Sequence, residues 1–195
     1  MSSVQTEEFR QLVVIGASLG GLHAITELLH NVPGDFPAPI AFVQHRSASD
    51  PDTLVRLLRR VASLPVREPS DKEPILPGTL YVAPADYHLI VEEDGFALST
   101  GPPVTFARPS IDVLFESAAD AYAQGVVGVV LTGANHDGSA GAARIKTQGG
   151  RIIVQDPMTA ECAVLPRSVL QSVVPDRVAP LRDIGSCLLE WCGYR

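Results

Sequence analysis

The sequence predicts an α/β fold: a doubly wound, mostly parallel, Rossmann-like sheet with helices on both faces and an antiparallel hairpin insertion. Three observations predict it. Short apolar runs rich in β-branched residues recur at 12–15, 40–43, 126–131 and 152–154, each fit for a strand buried on both faces. Segments with helical apolar spacing alternate with them. Between 65 and 100 the character changes, and extended runs are separated by Glu92-Glu93-Asp94-Gly95, where Asp-Gly signals a hairpin turn.

Taken in order, residues 1–11 (MSSVQTEEFRQ) read as a polar tail, and residues 12–195 as one domain. The first strand turns through Gly16-Ala17-Ser18-Leu19-Gly20-Gly21 into a helix marked by Leu22, Ile25 and Leu29, which Pro33-Gly34 ends. The second strand stops at Gln44-His45-Arg46. Asp50-Pro51 is a helix start, with Asp as N-cap and Pro at the first helical position, and the helix buries Leu54, Leu57, Leu58 and Val61. Over 65–100 the runs Leu80-Tyr81-Val82, His88-Leu89-Ile90-Val91 and Phe96-Ala97-Leu98 read together as an antiparallel insertion. After a proline-bearing loop at 101–109, Ser110 caps a helix burying Ile111, Leu114, Phe115, Ala118 and Tyr122. The strand at 126–131 is followed by Thr132-Gly133-Ala134-Asn135-His136-Asp137-Gly138. A small-residue helix over 139–148 ends at Gly149-Gly150. The strand at 152–154 closes on Gln155-Asp156-Pro157, Pro166 starts a further helix, and residues 181–191 form the last.

Composition narrows the function classes. A chain of 195 residues with 46% hydrophobic content can bury one substantial core. A net charge of −7 argues against a nucleic-acid partner, and Arg56, Arg59 and Arg60 read as the solvated face of a helix. No apolar run is long enough to cross a bilayer and no signal peptide precedes the first strand, so the expected compartment is the cytoplasm, without membrane insertion. Cys162, Cys187 and Cys192 have no metal-ligand spacing and read as reduced structural thiols, the latter two on or beside the last helix. Neither a metal nor a cofactor is expected.

The chemistry gathers at one sheet edge. Gly16-x-Ser18-x-Gly20 is the nucleophile-elbow spacing, in which a tight turn exposes a serine hydroxyl at a helix N-terminus. In doubly wound sheets ligands bind at the carboxyl ends of the strands. Ser18 follows the first strand, His45 the second, and Asp137 lies in the loop after 126–131, so all three face the same edge. A serine hydroxyl needs a base, a histidine serves near neutral pH, and a carboxylate fixes the imidazole tautomer. His23 and His30 fall off the apolar stripe of the first helix and read as solvated. His88 reads as a core or rim residue. His136 adjoins Asp137 and either competes for it or points away. Asp112 reads as a first-turn helix acid and Asp156 as part of a turn.

The chain resembles the catalytic domain of the chemotaxis protein-glutamate methylesterase (CheB) family. The resemblance rests on Gly16-Ala17-Ser18-x-Gly20-Gly21, Val43-Gln44-His45, Leu76-Pro77-Gly78, Tyr81-Val82-Ala83-Pro84, Asp86-x-His88-Leu89 and Gly101-Pro102-Pro103-Val104. It continues with Arg108-Pro109-Ser110-x-Asp112-x-Leu114-Phe115, Leu131-Thr132-Gly133, Asp137-Gly138 and Pro166-Arg167, covering about residues 11–190 in collinear order. The resemblance implies hydrolysis of γ-glutamyl methyl esters on the signalling helices of chemoreceptors, with deamidation of glutamines in many members. It assigns Ser18 as nucleophile, His45 as base and then acid, and Asp137 as orienting carboxylate, with oxyanion candidates in the backbone N–H groups at Leu19, Gly133 and Ala134.

Two departures stand out. Leu19 replaces the usual Thr, and Gly133-Ala134-Asn135-His136-Asp137-Gly138 replaces the usual Gly-Met-Gly-Asn-Asp-Gly. Family members commonly carry an N-terminal receiver domain; with eleven residues before the first strand, the expectation here is either constitutive activity or control by a separate receiver protein. Two other readings compete. A non-catalytic module that binds receptors or a regulator would share the fold. A dinucleotide-binding oxidoreductase would use the glycine-rich turn, but it wants Gly in place of Ser18 and an acid where Gln44-His45 stand, leaving only an NADP form through Arg46.

Overall fold

A computed structural model of the chain describes residues 11–46 and 51–194. Apart from Gln11, the expected tail lies outside the described residues, as does the Asp50 cap. The elements run β1 (Leu12–Ala17), α1 (Gly21–Leu29), β2 (Ile40–Gln44), α2 (Pro51–Val61), β3 (Val66–Arg67), β4 (Leu80–Val82), β5 (His88–Glu92), β6 (Gly95–Ser99), α3 (Ile111–Tyr122), β7 (Val126–Val130), α4 (Ser139–Thr147), β8 (Arg151–Gln155), α5 (Val164–Ser172), β9 (Arg177–Ala179) and α6 (Leu181–Trp191). Seven strands form one parallel sheet in the order β3-β4-β2-β1-β7-β8-β9, and β5 and β6 form a separate antiparallel pair.

β1 is the axis of the sheet. Every one of its residues is buried, which its unbroken apolar sequence dictates. Val13 and Ile15 pack into one layer with Ile25 and Leu28 of α1, Leu58 of α2 and Leu188 of α6. Leu12 and Val14 pack into the other with Phe115 of α3, Ile145 of α4, Leu165 of α5 and Phe96 of the hairpin. Each fully buried aliphatic or aromatic side chain contributes roughly 1.5–3 kcal/mol, against about 1 kcal/mol for a helix cap such as Ser110. The two layers therefore carry most of the stability, while caps and turns set where elements begin. Among the described residues no helix is long and apolar enough to cross a membrane. The three cysteines are free, and burial pushes the Cys192 thiol up to about 11.

The structure corrects several local expectations. Leu80–Val82 joins the main sheet, pairing in parallel with β2, and only β5 and β6 make the hairpin. β4 is three residues long and reached from β3 without a helix, so it lacks the usual signature of a parallel crossover. β3, of two residues, and β9, of three, are edge strands that the sequence pattern does not predict. Leu22 is exposed rather than buried; Gly21, Ala24, Ile25, Leu28 and Leu29 form the buried stripe of α1. α5 starts at Val164, two residues before Pro166, which occupies a first-turn position where a missing N–H leaves no bond unmade.

α3 and α4 pack closely because Gly141 lets them. A Cβ built on Gly141 would lie 2.4 Å from Phe115 Cβ and 3.1 Å from the Asp112 carbonyl oxygen. Gly141→Ala is expected to lower unfolding stability by about 1–3 kcal/mol, the scale of overpacking a filled core, measured by urea denaturation. An unchanged midpoint would contradict this packing.

Candidate active site

Three loops at the carboxyl edge of the sheet build the site, at the point where the chain leaves β1 for β2 on one side and later returns as β7 on the other. Ser18 follows β1 directly. Its N–H donates to Thr132 O (3.0 Å), and its carbonyl accepts from Gly21 N–H (2.9 Å) and from Gln44 Nε2 (2.7 Å). His45 N–H donates to Ala17 O at 3.1 Å. The ends of β2 and β7 thus hold the elbow from both sides. Gly20 has φ 79°, a left-handed conformation that favours glycine, and a Cβ on Gly21 would lie 2.1 Å from Gln44 Oε1.

Asp137 is fully buried and is the most heavily bonded side chain at this edge. Its Oδ2 accepts from His45 Nε2 (2.7 Å) and Ile111 N–H (2.6 Å); its Oδ1 accepts from the Ser110 hydroxyl (2.8 Å) and Asp112 N–H (3.0 Å). The carboxylate therefore sits on the N-terminus of α3, where free N–H groups and the helix dipole favour negative charge. Burial raises its pKa, but the bonds from His45, Asp112 N–H, Ile111 N–H and Ser110 outweigh that and hold the carboxyl below the ordinary range.

Asp112 repeats the device on the next helix. Its Oδ1 accepts from Gly141 N–H (2.7 Å) in the first turn of α4, the helix that begins just after Asp137. Each carboxylate thus caps the helix adjoining the other. Burial first, and then the Asp137 charge, raise the Asp112 carboxyl to about 6, although the Gly141 N–H pulls it down.

The imidazole orientation follows from these contacts. Nε2 is taken by Asp137, so Nδ1 is the nitrogen left to exchange a proton with a substrate or nucleophile, and Asn135 Nδ2 lies 2.8 Å from it. His45 lines two clefts. One, of about 750 Å³, holds Ser18, Leu19, Gln44 and Glu161. The other, of about 600 Å³, holds Arg46, Asp86, Phe106, Arg108 and Asn135.

Ser18 and His45 therefore share a cleft, and His45 and Asp137 share a hydrogen bond. Among the described residues Ser18 Oγ makes no hydrogen bond. Of the oxyanion candidates, the N–H groups of Leu19 and Ala134 have no acceptor among the described residues, whereas Gly133 N–H donates to Cys162 O at 3.0 Å. Gly133 is not a free donor; its part is steric, since a Cβ there would lie 2.9 Å from Ser18 Cβ. His136 is exposed and makes no bond to Asp137, and His23 and His30 are solvated as expected. His88 is buried, donating through Nε2 to Pro102 O and accepting at Nδ1 from Ser110 N–H.

Comparison with known proteins decides the family. The CheB methylesterase family model matches residues 13–188. The chain belongs to the CheB methylesterase family. The Thermotoga maritima CheB methylesterase catalytic domain superposes with a TM-score of 0.90 at 34% identity, covering 93% of this chain and 98% of that one. A Leptospira interrogans protein is 43% identical over 181 residues, 92% of this chain and 94% of its own length. FrzG of Myxococcus xanthus, a protein-glutamate methylesterase, is 38% identical over 181 residues, which is 54% of its length. The fold expectation stands, and CheB membership displaces the dinucleotide-binding reading. Within the CheB frame, Ser110, Asp112 and Asn135 are the site residues that sequence reasoning did not place. Ser110 and Asp112 carried a signal, as the cap and first-turn acid of α3, but nothing local announced that Asp137 would share that cap.

The Asp112 carboxyl gives a pH-dependent prediction. Its folded pKa lies above the ordinary 3.8, so its contribution to stability is full below that value and is lost as pH rises through about 6. Asp112→Asn cannot ionise and keeps an acceptor for Gly141 N–H. Relative to the parent, its melting temperature is expected to rise between pH 5 and pH 8, while Asp112→Ala melts lower at both. A constant difference between Asn variant and parent would contradict the buried, raised carboxyl.

Proposed function

We propose that this chain is a protein-glutamate methylesterase working through an acyl-enzyme on Ser18, His45 and Asp137. The observation that carries the reading is the 2.7 Å bond from His45 Nε2 to the buried Asp137 carboxylate, at the sheet edge where His45 and Ser18 share a cleft.

Asp137 holds Nε2–H, so Nδ1 accepts the Ser18 proton as Oγ bonds to the γ-carbonyl carbon of a methyl-esterified glutamate. The oxyanion forms beside the free N–H groups of Leu19 and Ala134. The imidazolium gives its proton to the leaving methoxide, releasing methanol, and is stabilised meanwhile by the Asp137 charge. Water activated by Nδ1 then cleaves the acyl-enzyme to the glutamate carboxylate. The same acyl-enzyme forms from a glutamine side chain with ammonia leaving, which accounts for glutaminase activity in the name of a Caulobacter vibrioides relative 39% identical over 180 residues. The proposed substrates are methylated signalling helices of chemoreceptors, met in the cytoplasm. Control by a separate receiver protein is read out as a rise in turnover when that protein is added phosphorylated.

Methanol release from methyl-esterified receptor fragments tests the reading. Ser18→Ala is expected to lower turnover by about 10³-fold or more with its fold intact. Turnover surviving in that variant would remove Ser18 from its role, and no turnover by the parent beside a competent family enzyme would remove the esterase reading.

A further inference from the structure

The contact between Asn135 and His45 is not required by the chemistry above and stands in its way. With Nε2–H donated to Asp137, the neutral ring carries its lone pair on Nδ1, and the Asn135 amide donates to it at 2.8 Å. That lone pair is the one the Ser18 proton needs. It is filled by an amide, while Ser18 Oγ makes no hydrogen bond among the described residues. An aromatic nitrogen lone pair takes one good donor at a time, so amide and hydroxyl compete for it.

The amide is fastened at one end only. Asn135 Oδ1 is buried with no hydrogen-bond partner among the described residues, so the side chain is not locked by a second contact. It also has somewhere to go. Asn135 lines the cleft that also holds Arg46, Asp86 and Arg108.

We propose that Asn135 is a latch on the base: its amide occupies His45 Nδ1 in the free protein and must withdraw before the Ser18 proton can pass to that nitrogen. The proposal rests on the reading of Ser18 and His45 as nucleophile and base. Withdrawal breaks the Nδ2–H···Nδ1 bond. The Oγ–H proton then moves to Nδ1 as Oγ bonds to the electrophile, and the ring becomes an imidazolium still joined to Asp137 through Nε2–H.

Two variants of the full chain test it. Asn135→Leu keeps the bulk and removes the donor, and Asn135→Gly removes both, so a packing defect in one does not decide the outcome. In protein labelled with ¹⁵N-histidine, the Nδ1 resonance of His45 is expected to move toward that of an unbonded acceptor in both variants, while the Nε2–H signal stays. The rate of Ser18 modification by a fluorophosphonate is expected to rise about three- to tenfold, the scale of one hydrogen bond no longer broken on the way to reaction. A purely structural role for Asn135 would move the resonance without raising the labelling rate. An unchanged Nδ1 resonance, or labelling at equal or lower rates, overturns the latch while leaving the serine reading standing. No labelling of parent and variants alike overturns both. Faster labelling without ester turnover keeps the latch and removes only the proposed substrate.

Discussion

The site depends on one buried carboxylate lying on the end of one helix. Asp137 takes two backbone N–H groups and the capping hydroxyl from the start of α3, and offers the same oxygen that binds Ile111 N–H to His45. A carboxylate without exposure is tolerated only when its lone pairs are filled, and the N-terminus of a helix supplies donors that would otherwise lack acceptors. Capping and orientation of the imidazole are therefore one interaction. Removing the carboxylate would strip α3 of acceptors as well as the histidine of its partner.

The arrangement also explains why α3 and α4 sit so close. Asp112 reaches from α3 to the first turn of α4, and Gly141 provides the space for that approach. The turn carrying Asp137 is thus fixed at both ends, by its own bonds to α3 and by the anchored start of α4. Gly133, earlier in the same loop, is held through Cys162 and Leu165 and keeps its Cα against Ser18. Rigidity of this kind is what the proposed serine-based site would need, since its proposed reacting groups come from three loops far apart in sequence.

Much of this was legible in the sequence, and the reason differs from place to place. The strands at 12–15, 40–43 and 126–131 announce themselves because a sheet covered on both faces demands unbroken apolar runs. Once their order is known, Ser18, His45 and Asp137 must share an edge. β3, β4 and β9 were missed or misassigned because two- and three-residue strands carry no periodicity and are fixed by neighbours rather than by their own side chains. Leu22 misled because the buried stripe of α1 opens with the small residues Gly21 and Ala24, which a pattern of large apolar side chains does not register. The cap shared by Asp137 and Ser110 was hidden for another reason: it joins residues 27 apart, and each has a complete local explanation without the other. Asn135 reads locally as a turn former, and only the ring orientation of His45 gives its amide something to bind.

The most direct test of the central claim is ester turnover by Asp137→Asn, which keeps the shape of the carboxylate and removes its charge. With the fold retained, kcat is expected to fall by at least about 10³-fold, since the imidazole loses both its fixed tautomer and the partner of its charged form. Turnover within tenfold of the parent would mean that the carboxylate is only a helix cap and that the base is organised by something else.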